Sequence, residues 1–328
     1  MWRLRASYIA RRLLGMAVVL SILLVATFFM VRLFHADPAR QIAGENADPQ
    51  TVSVLDHELG LDRPVLTQFV DYIQGLARLD LGVSYSSGVS QPAPGKFYGL
   101  PVSQIIGQTF PWTLLLAGVA IVLVAVFSLP IGMLAALLTR DGRNRPFEVV
   151  FTGSASFVHS TPVFLQGTLL SAVFAVWLRW LPVGTGPFIP VWQAIILPAV
   201  AVAIGDIVLL ARIIRVETLN ALAQDYVRTA RSKRLPTLTL YRRHILPNVL
   251  TATLTLGGLT FANLLAGTVI VENVFDWPGI GSRLVGAILI GDYPVIQAAV
   301  LLLGAGVIVI NTGVDLAIGF LDPRTLNR

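Results

Sequence analysis

The chain has 328 residues, 55% of them apolar and only 13% charged, with a formal charge of +6 from 24 basic and 18 acidic side chains. Its mean hydropathy is +0.74, and it holds several uncharged runs near the roughly 20 residues that cross a bilayer core, so a water-soluble domain is excluded as the main reading. Cysteine is absent, which excludes disulfides, a thiolate nucleophile and cysteine metal sites; the four histidines, His35, His57, His159 and His244, show no ligand spacing.

In chain order, the first apolar run is Leu13–Val31, 19 uncharged residues behind Arg11 and Arg12. It exceeds the roughly 7–15 residues of a signal-peptide core, and no small-residue cleavage site follows it. It reads as an uncleaved first span whose arginine pair anchors the cytoplasmic side. Residues 35–108 carry eight acids against four bases. Within them Leu66, Phe69, Val70, Ile73 and Leu76 recur near helical spacing, and Asp48, Asp62 and Pro64 look like start and boundary signals. One or two short helices over the outer face of the bundle are expected, then a Ser/Pro/Gly-rich loop, "SSGVSQPAPGKFYG"; a wholly unstructured loop is the alternative.

Five further spans follow. They are Thr109–Thr139, with Pro111 read as a first-turn proline; Val149–Leu178, where Pro162 should kink or end a helix; about Gln193–Ala211, interrupted by Asp206; Asn248–Val271; and Tyr293–Val314. Seventeen of the 24 basic residues then fall on one side, eight of them between Arg212 and Arg243. The positive-inside rule puts that side, and both termini, in the cytoplasm. The expected organisation is a cytoplasmic segment and first span (1–34), an extracytoplasmic region (35–108), a core of five spans (109–320) with a cytoplasmic loop at 212–247, and a cytoplasmic tail (321–328).

Catalytic signatures are missing. A phosphate-binding loop needs Lys followed by Ser or Thr, but Lys96 precedes Phe97 and Lys233 precedes Arg234. Neither HExxH nor GxSxG occurs. Polar residues inside the spans are better candidates for function. Asp206, in "AVAIGDIVLLARIIR", either faces a cavity or pairs with Arg212 or another arginine; Asp315, near the end of the last span, reads as structural. Ser154, Ser156, His159, Ser160, Thr161 and Gln166 give the third span a polar content that either lines a hydrated path or bonds between helices.

The segment "LAQDYVRTARSKRLPTLTLYRRHILPNVLTATLTLGG" stands apart as a long basic stretch between apolar runs. It resembles the cytoplasmic loop of inner-membrane permease subunits of ABC importers for dipeptides, oligopeptides and nickel, which reads EAA, three residues, Gly, nine residues, Ile-x-Leu-Pro. Arg228, Thr229 and Ala230 stand at the EAA, Arg234 at the Gly, His244 at the Ile, and Leu246 and Pro247 at the closing pair. Asp225, Tyr226 and Val227 enter the loop as in the peptide branch. "ELGLDRPVLTQFVDYIQGLARLDLGVSY", "STPVF", "VENVFDWPGIGSRLVGAILIGDYPVIQA" and "LDPR" resemble other blocks of that family, in order along most of the chain.

The resemblance implies an all-α, six-span polytopic permease of type I importer-like fold, forming half of a two-subunit pore. It implies a homologous second permease, two ATPase subunits or one two-domain ATPase, and an extracytoplasmic binding protein. ATP and Mg would bind the partners and no cofactor this chain; the bilayer is its other partner, and nucleic acid is not expected. The cargo implied is dipeptides or oligopeptides, passed by alternating access, with nickel or glutathione as alternatives. An autonomous channel, a secondary transporter or a membrane scaffold are the remaining readings. In the basic loop, two short helices would seat in a cleft of the ATPase, with Ala230 permitting close approach and Tyr226 and Val227 as anchors. The competing reading is that its arginines serve topology and anionic lipid, each worth about 1 kcal/mol. Glu272 and Asp276, beside Trp277, would attract a peptide amino terminus, dock the binding protein or shape an outer gate. Arg234 departs from the family Gly; a left-handed conformation there would cost about 1–2 kcal/mol. Because Leu235 precedes Pro236, a helix end is expected between Lys233 and Pro236, with Arg234 strained or solvent-facing.

Overall fold

The computed structural model describes residues 2–34, 38–43, 48–85, 99–233 and 236–321. Helices dominate because the apolar runs lack competing turn residues and every backbone N–H and C=O in lipid must bond within its own segment. In order they are α1 (Trp2–Phe34), α2 (Pro38–Ala43), α3 (Pro49–Glu58), α4 (Val65–Ala77), α5 (Val102–Thr139), α6 (Arg145–Ser160), α7 (Val163–Leu170), α8 (Val191–Ala194), α9 (Ile196–Leu222), α10 (Asp225–Ser232), α11 (Thr237–Leu240), α12 (Leu246–Val274), α13 (Ile280–Leu289) and α14 (Tyr293–Leu321). Among the described residues the only extended pairing is a single antiparallel bridge, Val83 to Pro101.

Among the described residues four helical stretches are long and apolar enough to cross a bilayer: Arg12–Arg32, Val102–Thr139, Val191–Leu222 and Tyr293–Val314. The pair Arg145–Ser160 and Val163–Trp177 meets the same test only when taken together, and it is bent by 102°, as a broken span or a re-entrant loop would be. Pro162 breaks it, as expected, because the ring has no N–H to bond the preceding turn. The expected fifth span lies on α12, which is helical for 29 residues, but most of its side chains from 251 to 263 lie outside the described residues. The count of six therefore remains a reading of the sequence.

Pro111 is not a first-turn residue. α5 begins at Val102, because Pro101 closes the bridge to Val83 and the polar turn Ser103–Gln104 still propagates helix. Pro111 thus sits in the helix interior, where it withholds an amide from the Gly107 carbonyl. The stretch 48–82 forms two short helices, α3 and α4, as expected, and a further one, α2, precedes them. Asp48 and Pro64 occupy the N-cap positions of α3 and α4, as the boundary signals suggest. The apolar face of α4 is only partly used: Phe69 packs on Phe28 with ring centroids 5.0 Å apart, while Leu66 and Val70 stay exposed. The Ser/Pro/Gly-rich loop lies outside the described residues, apart from its last position, Gly99.

The chain divides into two compact units. One comprises Met1–Arg12, Leu115–Trp277 and Gly306–Arg328, and is organised around α9, whose Leu197, Ala201, Leu210 and Ile214 are buried. α9 packs against α6, α7 and α12. Gly132 of α5 comes so near α9 that an added Cβ would lie 2.6 Å from the Ala211 carbonyl oxygen; only glycine permits that approach.

The other unit comprises Leu13–Leu114 and Pro278–Ala305. Its core gathers Val31, Val102, Ile105, Ile280, Leu284 and Ala299. Two polar bonds lock it: Ser84 Oγ donates to Asp292 Oδ2 at 2.5 Å, and the Ile280 amide donates to Thr113 Oγ1 at 2.9 Å.

Candidate functional site

The basic segment folds as a helical elbow. α10 ends at Ser232 and Lys233 turns, so the break falls one residue ahead of the expected interval, and α11 starts after Pro236. Arg234 and Leu235 lie outside the described residues. The elbow then passes through a π-helical turn, Tyr241–Ile245, into α12. Pro247 accounts for the wider turn, since it offers no amide to the Arg243 carbonyl.

α10 has two faces. Val227 and Ala230, three residues apart, are both buried, at 0% and 6% exposure. Asp225, Tyr226, Arg228 and Thr229 are exposed. The Arg228 guanidinium pairs loosely with Asp225 at 3.6 Å, one turn back along the outer face. This corrects the expectation that Val227 and Ala230 form an outward contact. Helical spacing places them together on the buried face of the helix; Leu240 and Ile245, further along the elbow, are buried as well, so this face seats the elbow and leaves Tyr226 and Arg228 to face outward.

Tyr226 is fastened from behind. Asn248 Nδ2 donates to the Tyr226 hydroxyl at 3.1 Å and to the His244 carbonyl at 2.8 Å, so one amide ties the start of α10 to the start of α12. Sequence reasoning missed Asn248, because its partner lies 22 residues away and no periodicity links them. His244 and Leu246 are half-buried and Pro247 is exposed in the first turn of α12.

Polar residues of the third span divide between two roles. Gln166 Nε2 donates to the carbonyls of Val158 (2.7 Å) and Thr161 (2.9 Å), capping the end of α6 across the Pro162 break. Thr161 Oγ1 bonds back to Phe157. Between helices, Arg212 Nη1 donates to Ser156 Oγ at 3.0 Å, and His159 Nδ1 lies 3.3 Å from the Gly205 carbonyl. Ser160 is exposed. Asp206 is half-buried, next to Gly205, and forms no ion pair with Arg212 among the described residues. Arg215, the next arginine along α9, is engaged by Glu148.

Glu272 and Asp276 do not share one environment. Glu272 is fully buried, and its carbonyl accepts the Trp277 amide at 2.8 Å. Asp276 is exposed, with φ at +47°, in a sharp turn that buries Trp277. The side chain of Asp315 lies outside the described residues, as do residues 322–328.

The sequence matches two family models: binding-protein-dependent transport system inner membrane component over residues 128–327, and the N-terminal part of such membrane components over residues 5–117. The glutathione transport system permease protein GsiC of Escherichia coli O6:H1 is 37% identical over 318 residues, covering 97% of this chain and 98% of GsiC. GsiC of Salmonella choleraesuis is 37% identical over 319 residues, with the same coverage. Among solved structures, the MetNI methionine ABC transporter in inward-facing conformations aligns with a TM-score of 0.56 at 18% identity, over 67% of this chain and 97% of that one.

Proposed function

The chain belongs to the family of inner-membrane permease components of binding-protein-dependent ABC importers, and on that premise we propose that it forms half of a pore for short peptides, driven through its α10–α11 elbow. The observation that carries the elbow reading is the two-faced α10, with Val227 and Ala230 buried behind an exposed row of Asp225, Tyr226, Arg228 and Thr229. A lever of this kind needs a rigid inner attachment and a free outer face. The buried pair supplies the first, and a tyrosine beside an arginine is the composition that anchors protein interfaces.

The complete machine pairs this chain with a homologous permease, two ATPase subunits or one two-domain ATPase, and a binding protein outside the membrane. ATP and Mg act on the motor subunits; this chain contributes no ATPase step. Residues 212–247 and both termini lie in the cytoplasm, in keeping with the excess of basic residues there. When the motor closes, displacement of α10 is passed through Val227, Ala230 and the Tyr226–Asn248 bond to α12. The bundle then alternates between outward and inward access. Ser160 and Asp206 line the path, Gln166 holds its bend, and the buried Glu272 with the Asp276–Trp277 turn shapes the outer gate.

Short peptides are favoured as cargo because the chain-long relatives are named for glutathione, itself a tripeptide. Cells lacking the gene and complemented with it should accumulate labelled glutathione or trialanine in competition with each other. Uptake of neither, with nickel uptake restored instead, would overturn the cargo. Tyr226→Ala with Arg228→Glu should lower uptake at least tenfold and weaken co-purification of the ATPase subunits; unchanged uptake and co-purification would overturn the elbow.

A further inference from the structure

Residues of α1, α3, α4 and α14 enclose a second polar site, within the unit that contains 35–108. It is a cavity of about 350 Å³, at the small end of the range for small-molecule sites. Arg32 lines it from the end of the first span. Its guanidinium lies 3.6 Å over the Phe28 ring and 5.6 Å from that of Tyr293; Nε donates to Gln68 Oε1 at 2.9 Å, and Nη1 reaches the Phe28 carbonyl at 3.4 Å. All these partners are neutral. A half-buried cation without a carboxylate is costly unless an anion completes its shell.

Two more donors on the wall lack partners among the described residues. Gln297 is 4% exposed and its Nε2 has no hydrogen bond; the buried Tyr72 hydroxyl has none either. Burial pushes the Tyr72 phenol up to about 12, so it remains an O–H donor at neutral pH. Opposite charge is also present: Glu58 and Asp80 line the same cavity and enter no ion pair among the described residues, Asp80 Oδ1 accepting the Gly82 amide at 2.9 Å, whereas Arg63 and Asp71 neutralise each other at 3.4 Å.

From this arrangement we infer that the cavity binds a short peptide zwitterion directly, its carboxylate held by Arg32, Tyr72 and Gln297 and its ammonium turned toward Glu58. The inference rests on the peptide reading and on the extracytoplasmic placement of 35–108. It adds a step to that reading: the permease itself holds cargo before the pore opens.

The test uses the whole purified complex in nanodiscs, without binding protein, titrated calorimetrically with trialanine, trialaninamide and inorganic phosphate. Trialanine should saturate one site per chain, and the amide, lacking the carboxylate, should bind at least tenfold more weakly. Tyr72→Phe and Gln297→Leu, each nearly isosteric, should each weaken trialanine at least fivefold, while equal gel-filtration elution of the complexes reports folding. Absence of trialanine binding, equal binding of acid and amide, or indifference to both substitutions overturns the inference. Phosphate binding more tightly than trialanine also overturns it, in favour of a lipid-headgroup site. Because uptake by wild-type cells tests the cargo separately, peptide uptake without binding at this cavity removes only this inference.

Discussion

Arg215 on α9 and Glu148 on α6 form an ion pair at 2.5 Å, and Arg215 Nε also donates to Thr139 Oγ1 of α5 at 3.0 Å. Three helices of the bundle therefore meet on one guanidinium whose side chain is 11% exposed, although Glu148 keeps 38%. Removing one partner strands the other, the costly way to break such a pair. Arg215→Leu should destabilise the complex by about 2 kcal/mol, below the value for a fully buried pair because Glu148 is partly solvated. A double-mutant cycle with Glu148→Gln, read by thermal unfolding, should give a coupling of about 1 kcal/mol; additive losses would deny the bond any weight.

The two faces of α10 make separable predictions. Val227→Asp puts a charge where exposure is 0%, costing roughly 3 kcal/mol or more, and should abolish accumulation of the chain in membranes. Asn248→Ala should spare accumulation and lower binding-protein-stimulated ATP hydrolysis, because it releases only the Tyr226 hydroxyl and one carbonyl. If Val227→Asp accumulates normally, the seated face of α10 has been misassigned.

At the Pro162 break, Gln166 holds the Thr161 carbonyl and gives a second donor to the Val158 carbonyl, which also accepts the Thr161 amide at 3.2 Å. Gln166→Leu should cost about 1 kcal/mol by removing the donor to the Thr161 carbonyl and should cut uptake more than it cuts the amount of complex. Glu, which cannot donate when ionised, should fail like Leu. Normal uptake by Gln166→Leu would show that the bend needs no cap.

Acid should loosen the segment of α3 and α4. Asp62 is bonded to His57 Nδ1 at 2.7 Å, and that bond, its largest influence, holds the carboxyl below 3.8. A depressed carboxyl contributes stability that is present above its unfolded value and lost as pH falls through the lower folded one. Hydrogen exchange across residues 49–77 should therefore show the Asp62 contribution intact at pH 5 and lost only below about 3.8. Asp62→Asn should remove that acid-side loss; an unchanged acid profile in the variant would contradict it.

Much of this protein was legible in one dimension. Bilayer-length apolar runs, the break at Pro162 and the helix starts at Asp48 and Pro64 follow from composition, chain stiffness and spacing, which act over a few neighbouring residues; the basic elbow and its ordered blocks were legible through their resemblance to the permease family. Tertiary structure alone decided the rest. Val227 and Ala230 face inward rather than outward, since an amphipathic helix shows two faces and only its neighbours determine which one meets the interior. Glu272 is buried while Asp276, four residues on, is exposed, because a left-handed turn separates them. Arg215 meets Glu148, Tyr226 meets Asn248, and Arg32 meets Gln68 and Tyr293 through contacts between residues far apart in the chain. Local propensity carries no information about such pairs; only the packing of helices brings them within bonding distance.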